Sequence, residues 1–271
     1  MIKWEHSIFA LPFAFLGLVL AGETRISVWL FVTLAMVSFR TSGMAWNRLA
    51  DRAIDAANPR TKMRALPAGK IGTGFVALAT LASLAVFETS SYLLGPLCFK
   101  LSVVPLFLAF LYPFAKKFTW SSHFILGMIL GIAPYGAWIA SRQEFSWVPG
   151  FLTLGVTAWV AGFDMIYALQ DEDFDRSHGL YSFPARFGQS ATLILTRILH
   201  VLTLMFWFLA GQQAGLGAVY FAGLAGVGFF LFREHWLVRR YGLAKIHEAF
   251  FTMNAVVSIA VFLAVLVDLR V

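Results

Sequence analysis

Three long stretches of this chain carry no charged residue, namely residues 125–141, 201–232 and 249–267. A helix needs about 20 mostly apolar residues to cross a bilayer, and a single water-soluble core could not bury this many apolar segments. Of all residues, 59% are hydrophobic and only 13% are charged, whereas about 25% are charged in a typical soluble domain. We therefore predict a polytopic membrane protein of the all-α class.

Hydropathy divides the chain into about nine predicted spans, each with its loop, within one integral membrane domain of residues 1–271. The spans lie near residues 7–22, 26–46, 71–87, 91–112, 121–140, 147–168, 190–210, 214–232 and 248–267. The first apolar run follows Lys3 and could be taken for a signal peptide. The further spans and Pro12 inside that run favour a retained helix, so the predicted fold is a polytopic helical bundle.

The basic residues predict which side of the bundle faces the cytoplasm. Most of the 21 Lys and Arg residues lie on the side of the N-terminus, while the opposite loops hold only Arg25, Arg142 and Arg270. Because cytoplasmic loops carry the excess of Lys and Arg, we expect a cytoplasmic N-terminus in a bacterial-type inner membrane. The net charge of +7 is then a signal of topology, and neither nucleic-acid binding nor an obligate protein partner is expected.

Half of the 14 acidic residues lie in two short segments at the predicted cytoplasmic ends of spans. The first segment reads Asn47-x-x-x-Asp51-x-x-x-Asp55, and the second repeats its spacing in Tyr167, Asp171 and Asp175, with Asp164 one turn earlier. Residues four apart share one face of a helix, and carboxylates stacked in this way repel one another. A cation is therefore expected, and oxygen ligands completed by water and phosphate suit Mg²⁺.

Basic residues close to these segments supply a complementary charge for phosphate. They are Arg60, Lys62, Arg64 and Lys70, followed in the next cytoplasmic loop by Lys116 and Lys117. Arginine captures phosphate oxygens in a bidentate manner. This arrangement at the mouth of an apolar bundle indicates a site for a diphosphate on a hydrocarbon tail. Metal ions would neutralise the leaving diphosphate, and an apolar wall would keep water from the allylic cation.

Other interpretations of the charged residues remain open at this point. A single D-x-x-x-D pattern often marks a solvated helix end, where Asp51 would pair with Arg48 or Arg52. A secondary transporter could use intramembrane Asp and Arg for coupling, although transporter sites lie near the bilayer midplane. A lipid head-group transferase is disfavoured because the chain has no Asp-Gly-x-x-Ala-Arg pattern, and the six His residues show no zinc-ligand spacing.

Together these motifs resemble those of the UbiA superfamily of membrane prenyltransferases. The matching segments, in chain order, are Asn47-x-x-x-Asp51-x-x-x-Asp55, Arg60-Thr61-x-x-Arg64, Leu66-Pro67-x-Gly69, Tyr112-Pro113-Phe114-x-Lys116-Lys117, Asp164-x-x-Tyr167-Ala168-x-Gln170-Asp171-x-x-x-Asp175 and Phe187-Gly188. The resemblance implies a nine-helix bundle whose central cavity opens to the membrane. It also implies two Mg²⁺ ions, held by the aspartate motifs, that bind a polyprenyl diphosphate.

Within that superfamily the chain is most similar to enzymes that prenylate 4-hydroxybenzoate or a related aromatic acid for ubiquinone or menaquinone synthesis. Residues 167–175 and 182–188 look closer to the bacterial enzymes of the futalosine route, whose acceptor would be a dihydroxynaphthoate. By this likeness Arg40 would contact the acceptor carboxylate. Asp164 would act either as a partner of Arg40 or as a base for the acceptor hydroxyl.

The resemblance and the spacing together define the expected site residues. The expected Mg²⁺ ligands are Asn47, Asp51, Asp55, Asp171 and Asp175. The four aspartates of this set are also expected catalytic residues. Asp164 is a further expected catalytic residue. The expected substrate-binding residues are Arg40, Asn47, Arg60, Arg64, Lys116 and Tyr167. Outside the site, Gly127, Gly131, Pro134 and Gly136 are predicted to let the fifth span pack closely against a neighbour.

Overall fold

The computed structural model of the protein describes residues 7–242, 246 and 252–271, and these residues form helices and no strand. The helices are α1 (Ser7–Leu20), α2 (Ile26–Ala50), α3 (Arg52–Ala57), α4 (Thr73–Leu93), α5 (Pro96–Leu101), α6 (Val103–Ala115), α7 (Ser122–Arg142), α8 (Trp147–Ala168), α9 (Glu172–Ser177), α10 (Phe183–Gln213), α11 (Ala218–Tyr241) and α12 (Asn254–Asp268). A 3₁₀ turn, Leu169–Asp171, joins α8 to α9.

Six helical stretches in this described part are long and apolar enough to cross a membrane. They are Ile26–Ala50, Thr73–Leu93, Pro96–Ala115, Ser122–Arg142, Trp147–Ser177 and Phe183–Gln213, and two shorter apolar helices are Leu11–Leu20 and Asn254–Asp268. These helices confirm the predicted all-α integral membrane fold. The count of nine spans stays a prediction, and the beginning of the predicted span 248–267 lies outside the described residues.

The helices that are neighbours along the chain also pack against one another. Helix α7 packs on α8, α8 on α10, and α11 on α12, while α12 contacts α1 and so joins the two ends of the chain. Helix α2 packs on both α4 and α6, and α6 packs on α7. Through α6 and α7, this packing connects α2 with α8, whose C-terminal ends carry the two aspartate segments.

Backbone breaks interrupt one of the predicted spans and kink the beginning of α10. The span predicted near 91–112 is divided into α5 and α6 at Ser102, whose hydroxyl donates to Glu88 Oε2 at 3.0 Å. Helix α5 begins after Gly95, which has φ = 118°, a conformation that favours glycine. A second left-handed glycine, Gly188 with φ = 78°, kinks α10 between its first turns and the long apolar stretch that follows.

Close packing of α8 against its two neighbours depends on glycines. A Cβ atom at Gly127 of α7 would lie 2.4 Å from the Thr157 carbonyl oxygen, and one at Gly131 would lie 2.3 Å from the Thr157 hydroxyl. On the α10 side, a Cβ at Gly155 would lie 2.3 Å from the indole of Trp207. Gly136 has open space around it, so the predicted close packing holds for Gly127 and Gly131 and is wrong for Gly136.

Candidate active site

A cavity of about 660 Å³ lies between the helices and contains the whole set of residues predicted for the site. Arg40, Asn47, Asp51, Asp55, Arg60, Arg64, Lys116, Asp164, Tyr167, Asp171 and Asp175 all line it. The rest of its wall is largely apolar, with side chains such as Met36, Ile129, Ile132 and Phe163. The volume falls within the range of about 300–1,000 Å³ that is usual for ligand pockets.

The first aspartate segment keeps its helical spacing although α2 ends at Ala50. The Asp51 N–H donates to the Asn47 carbonyl at 3.0 Å, and the Asp55 N–H donates to the Asp51 carbonyl at 2.8 Å. The backbone of Asp51, with φ = −95° and ψ = 5°, departs from helical geometry and so separates α2 from α3. The hydrogen bonds between residues four apart nevertheless continue across this position. The side chains of Asp51 and Asp55 therefore follow each other along one face, as the spacing predicts.

Each carboxylate of this segment meets a basic side chain from the following loops. Lys116 Nζ lies 2.6 Å from Asp51 Oδ2, and Arg64 Nη1 lies 2.7 Å from Asp55 Oδ1. Arg48 Nη1 approaches the second oxygen of Asp55 at 3.6 Å. The simple helix-end interpretation, with Asp51 paired to Arg48 or Arg52, is therefore wrong, because the partner of Asp51 comes from a loop 65 residues away.

Asp171 joins the second segment to the loop that follows the first. It accepts hydrogen bonds from Arg60 Nε at 2.9 Å and from Asn58 Nδ2 at 3.0 Å, and it forms a second, very short contact with Arg60 Nη2. The Arg60 guanidinium also lies 5.5 Å from the centre of the Tyr167 ring and donates to its hydroxyl at 3.3 Å. Such bidentate geometry is typical of strong Arg–carboxylate pairs.

Two oxygens of the first segment fit the requirement for a metal ligand. Asp51 Oδ1 and Asp55 Oδ2 are buried, and neither has a hydrogen-bond partner within the described part of the chain, although Asp55 Oδ2 has the 3.6 Å ion pair with Arg48. Burial raises the pKa of the Asp51 carboxyl above its ordinary value, and Lys116 partly offsets that shift. Buried carboxylate oxygens without hydrogen bonds are costly unless a cation or donor reaches them. These residues therefore suit a hard divalent cation.

The aspartates form no preformed metal cage in the residues that the structure describes. No three side chains among His, Cys, Asp and Glu converge there on one point. Mg²⁺ characteristically takes one or two carboxylates and completes its shell with water and substrate phosphates. The arrangement thus fits a metal that is held jointly with a phosphate ligand rather than by protein alone.

A further carboxylate, Asp164, lies on α8 two turns before Asp171. His123 Nδ1, at the beginning of α7, lies 2.7 Å from Asp164 Oδ2, and the Phe183 N–H donates to His123 Nε2 at 3.3 Å. Neither His123 nor Asn58 was predicted for the site. His123 belongs to no ligand spacing and Asn58 precedes Pro59 in a loop, so no local pattern distinguishes either residue.

Comparison with known proteins gives relatives over almost the whole chain. Residues 10–256 match the UbiA prenyltransferase family. The 4-hydroxybenzoate octaprenyltransferase of Vibrio campbellii is 32% identical over 240 residues, which are 87% of this chain and 82% of that protein. The protein of the same name from Marinobacter nauticus is 30% identical over 239 residues, which are 88% of this chain and 80% of that protein.

Solved structures show the same fold. The apo structure of a UbiA homolog from Aeropyrum pernix K1 superposes with a TM-score of 0.90 at 32% identity, and the match covers 99% of this chain and 100% of that chain. A UbiA homolog from Archaeoglobus fulgidus, solved with DMAPP and Mg²⁺, has a TM-score of 0.72 at 16% identity over 96% of each chain. These matches confirm the family that the motifs predicted: the chain belongs to the UbiA prenyltransferase family.

Proposed function

We propose that this aromatic prenyltransferase transfers a polyprenyl group from polyprenyl diphosphate to a ring carbon of an aromatic acid, with Mg²⁺ as cofactor. The observation that carries the proposal is that both aspartate segments line one apolar cavity and that each is paired with basic side chains. The relatives named 4-hydroxybenzoate octaprenyltransferase support the reaction class. The Archaeoglobus fulgidus fold neighbour, solved with DMAPP and Mg²⁺, agrees with the cofactor.

Asp51, Asp55, Asp171 and Asp175, with Asn47, would hold the metal ions. When bound, Mg²⁺ supplies positive charge that stabilises the departing diphosphate. The buried oxygens of Asp51 and Asp55 that lack hydrogen bonds would gain a partner in that state. The protein would supply only some of the ligands of each Mg²⁺, and water and diphosphate oxygens would supply the others.

Arg60, Arg64 and Lys116 would bind the diphosphate oxygens. Each of these side chains now neutralises one aspartate, at Asp171, Asp55 and Asp51 respectively. With a metal diphosphate bound, the carboxylates would face the cations and the basic groups would face the phosphates. Opposite charges would stay matched in both states, so neither set of side chains would be left as buried unpaired charges.

The apolar part of the cavity would take the prenyl tail and the allylic cation that forms when the C–O bond breaks. Phe163 and the aliphatic side chains of α7 would exclude water from the cation, and they contain no strong nucleophile. The electron-rich ring of the acceptor attacks the cation, and loss of the ring proton restores aromaticity. Arg40, which lines the same cavity from α2, would bind the acceptor carboxylate.

For the acceptor we propose 4-hydroxybenzoate or a dihydroxynaphthoate, which places the reaction in ubiquinone or menaquinone synthesis. We also propose that the site faces the cytoplasm of an inner membrane, because the loops beside it hold most of the basic residues. A donor with a hydrocarbon tail would reach the cavity from the bilayer. The aromatic acid would arrive from water.

The reaction is tested by incubating membranes that contain the protein with geranyl diphosphate, Mg²⁺ and a panel of hydroxylated aromatic acids. We expect one or more acids to gain a geranyl group on a ring carbon, identified by mass and fragmentation. Membranes without the protein are the control. Absence of any prenylated acid, together with ion flux in vesicles of the purified protein, would contradict the proposal and favour a transporter.

A further inference from the structure

The cavity that holds the aspartates extends along most of the length of its helices. On α2 its wall reaches from Asp51 to Val32, and on α7 it reaches from Ser122 to Ile139. At 1.5 Å per residue these stretches are about 28 Å and about 26 Å long, while the hydrocarbon core of a bilayer is about 30 Å thick. The aspartates occupy one end, so most of this length lies between them and the opposite membrane face.

One face of α7 lines the cavity with aliphatic side chains except at a single position. Ile129, Ile132, Gly136 and Ile139 line it at spacings of three and four residues, and they therefore form one stripe along the helix. A Cβ atom at Gly136 would meet no atom of a neighbouring helix within 4 Å in the described chain. Packing does not require this glycine, and glycine is a poor helix former. The space that it leaves belongs to the cavity.

The helices are tied together at the end of the cavity next to Gly136. Cys98, which also lines the cavity, has its Sγ 4.0 Å from the Gly136 carbonyl oxygen. Directly after α7, the Gln143 side chain accepts the Leu97 N–H at 3.2 Å and donates to the Leu94 carbonyl at 2.8 Å. These bonds join the end of α7 to the connection between α4 and α5. The space at Gly136 is therefore near the far end of the cavity.

The distance from the aspartates to Gly136 corresponds to several isoprene units. At 1.5 Å per residue, Gly136 lies about 20 Å along α7 from His123, which contacts Asp164 on the neighbouring α8. Asp171 lies about 10 Å from Asp164 in the opposite direction. An extended carbon chain advances about 5 Å over the four backbone bonds of one isoprene unit, judged from the bond lengths of the peptide backbone. Gly136 is thus about four to six isoprene units from the aspartates.

We propose that the space at Gly136 receives the fourth to sixth isoprene units of the donor, so that the missing side chain determines how long a prenyl tail the cavity takes. The inference rests on the proposed prenyl transfer and specifies the chain-length class of its donor. A geranyl tail ends before Gly136 and leaves this space unfilled. A hexaprenyl tail fills it and removes more apolar surface from water, so the site favours the longer donor.

The chain-length dependence of transfer tests the role of Gly136. Purified full-length protein in lipid nanodiscs is assayed with geranyl and hexaprenyl diphosphate and the aromatic acid that the wild type accepts. Gly136→Leu completes the aliphatic stripe and should lower kcat/KM for hexaprenyl diphosphate by on the order of tenfold or more, because the added atoms take the space of the tail. Its transfer of geranyl groups should stay within about twofold of the wild type. Gly136→Ala should give a smaller loss with the same selectivity.

A glycine outside the cavity provides the control. Gly226 lies on α11, is exposed, and likewise has no atom of the described chain within 4 Å of a Cβ position. It does not line the cavity. Gly226→Leu should therefore leave kcat/KM unchanged for both donors. Geranyl transfer by Gly136→Leu also reports whether that variant is folded, and the smaller Gly136→Ala keeps the comparison available if it is not.

The single cysteine of the chain, Cys98, reports on the same space without catalysis. Its alkylation by N-ethylmaleimide is followed by intact mass, with Mg²⁺ and a donor present but no acceptor. Hexaprenyl diphosphate at ten times its dissociation constant should slow the labelling of Cys98 about tenfold, since only the free protein reacts. Geranyl diphosphate at the same saturation should leave the rate unchanged. Gly136→Leu should abolish the protection by hexaprenyl diphosphate.

The outcomes separate this inference from the function on which it rests. Unchanged hexaprenyl transfer by Gly136→Leu, or an equal loss with both donors, would overturn the inference and leave prenyl transfer standing. Labelling of Cys98 that hexaprenyl diphosphate does not slow would also overturn it, because the tail would then leave the cavity before Gly136. Protection of Cys98 in a wild type that transfers no prenyl group would contradict the proposed function and still support binding of the tail at Gly136.

Discussion

Asn58 donates a 3.0 Å hydrogen bond to Asp171, which lies 113 residues further along the chain. The same side chain accepts the backbone N–H of Arg60 at 2.9 Å. One buried amide therefore orients both the carboxylate of the second segment and the loop residue whose guanidinium pairs with it. This contact links the two halves of the proposed metal diphosphate site.

We predict that Asn58→Ala lowers the apparent affinity for Mg²⁺ more than it lowers the stability of the folded protein. Loss of one partner from a buried hydrogen bond costs about 1–3 kcal/mol. The Mg²⁺ concentration for half-maximal transfer should therefore rise by on the order of tenfold. Lys62→Ala, an exposed position in the same loop, is the control. Superimposable Mg²⁺ titrations for Asn58→Ala and the wild type would show that Asn58 has no such role.

Adjacent lysines provide a matched pair for the proposed diphosphate contact. Lys116 lies 2.6 Å from Asp51 in the cavity, whereas Lys117 is exposed and lies 5.1 Å from the Phe114 ring. Lys116→Met should raise the KM for geranyl diphosphate by about tenfold or more, since hydrogen bonds to charged groups contribute about 1.5–3 kcal/mol. Lys117→Met should stay within about twofold of the wild type. The two KM values are measured at saturating acceptor and Mg²⁺, and equal effects would refute a specific role for Lys116.

Much of the bundle could be predicted from hydropathy, because uninterrupted apolar length determines where a chain can cross a membrane. The predicted span 147–168 coincides with α8, and the span 26–46 agrees with α2 except that the helix continues to Ala50. The break at Ser102 was missed. Pro105, in the first turn of α6, has no backbone N–H to donate to the Leu101 carbonyl and so interrupts the helical hydrogen bonding there, while the Ser102 hydroxyl donates to Glu88 on α4.

The site was predictable where its residues repeat at helical spacing. Asp51 and Asp55 follow each other along one face because the backbone hydrogen bonds continue from α2 into α3. The contacts of Asn58 and His123 join parts of the chain that are far apart in sequence, at 113 and 41 residues. A single sequence contains no periodicity that brings such pairs together, so only the fold reveals them.

Glycine positions on α7 give a prediction for stability. Gly127→Ala places a methyl group 2.4 Å from the Thr157 carbonyl oxygen, so α7 and α8 must separate, whereas Gly136 has open space around it. We expect Gly127→Ala to destabilise the protein by about 1–3 kcal/mol. Gly136→Ala should be neutral or slightly stabilising, because alanine favours helix over glycine by about 1 kcal/mol. Thermal melts in detergent compare the two, and equal melting temperatures would contradict the close packing.

The most direct test of the proposed mechanism is the Mg²⁺-dependent release of diphosphate and formation of prenylated acid by purified wild type, Asp51→Asn and Asp171→Asn. Asp173→Asn is the control, because Asp173 is exposed in the same segment and does not line the cavity. If these aspartates hold Mg²⁺ against the leaving diphosphate, Asp51→Asn and Asp171→Asn should lose on the order of 100-fold in rate, while Asp173→Asn remains near the wild type. Retention of wild-type Mg²⁺-dependent transfer by either Asp51→Asn or Asp171→Asn would contradict the metal assignment.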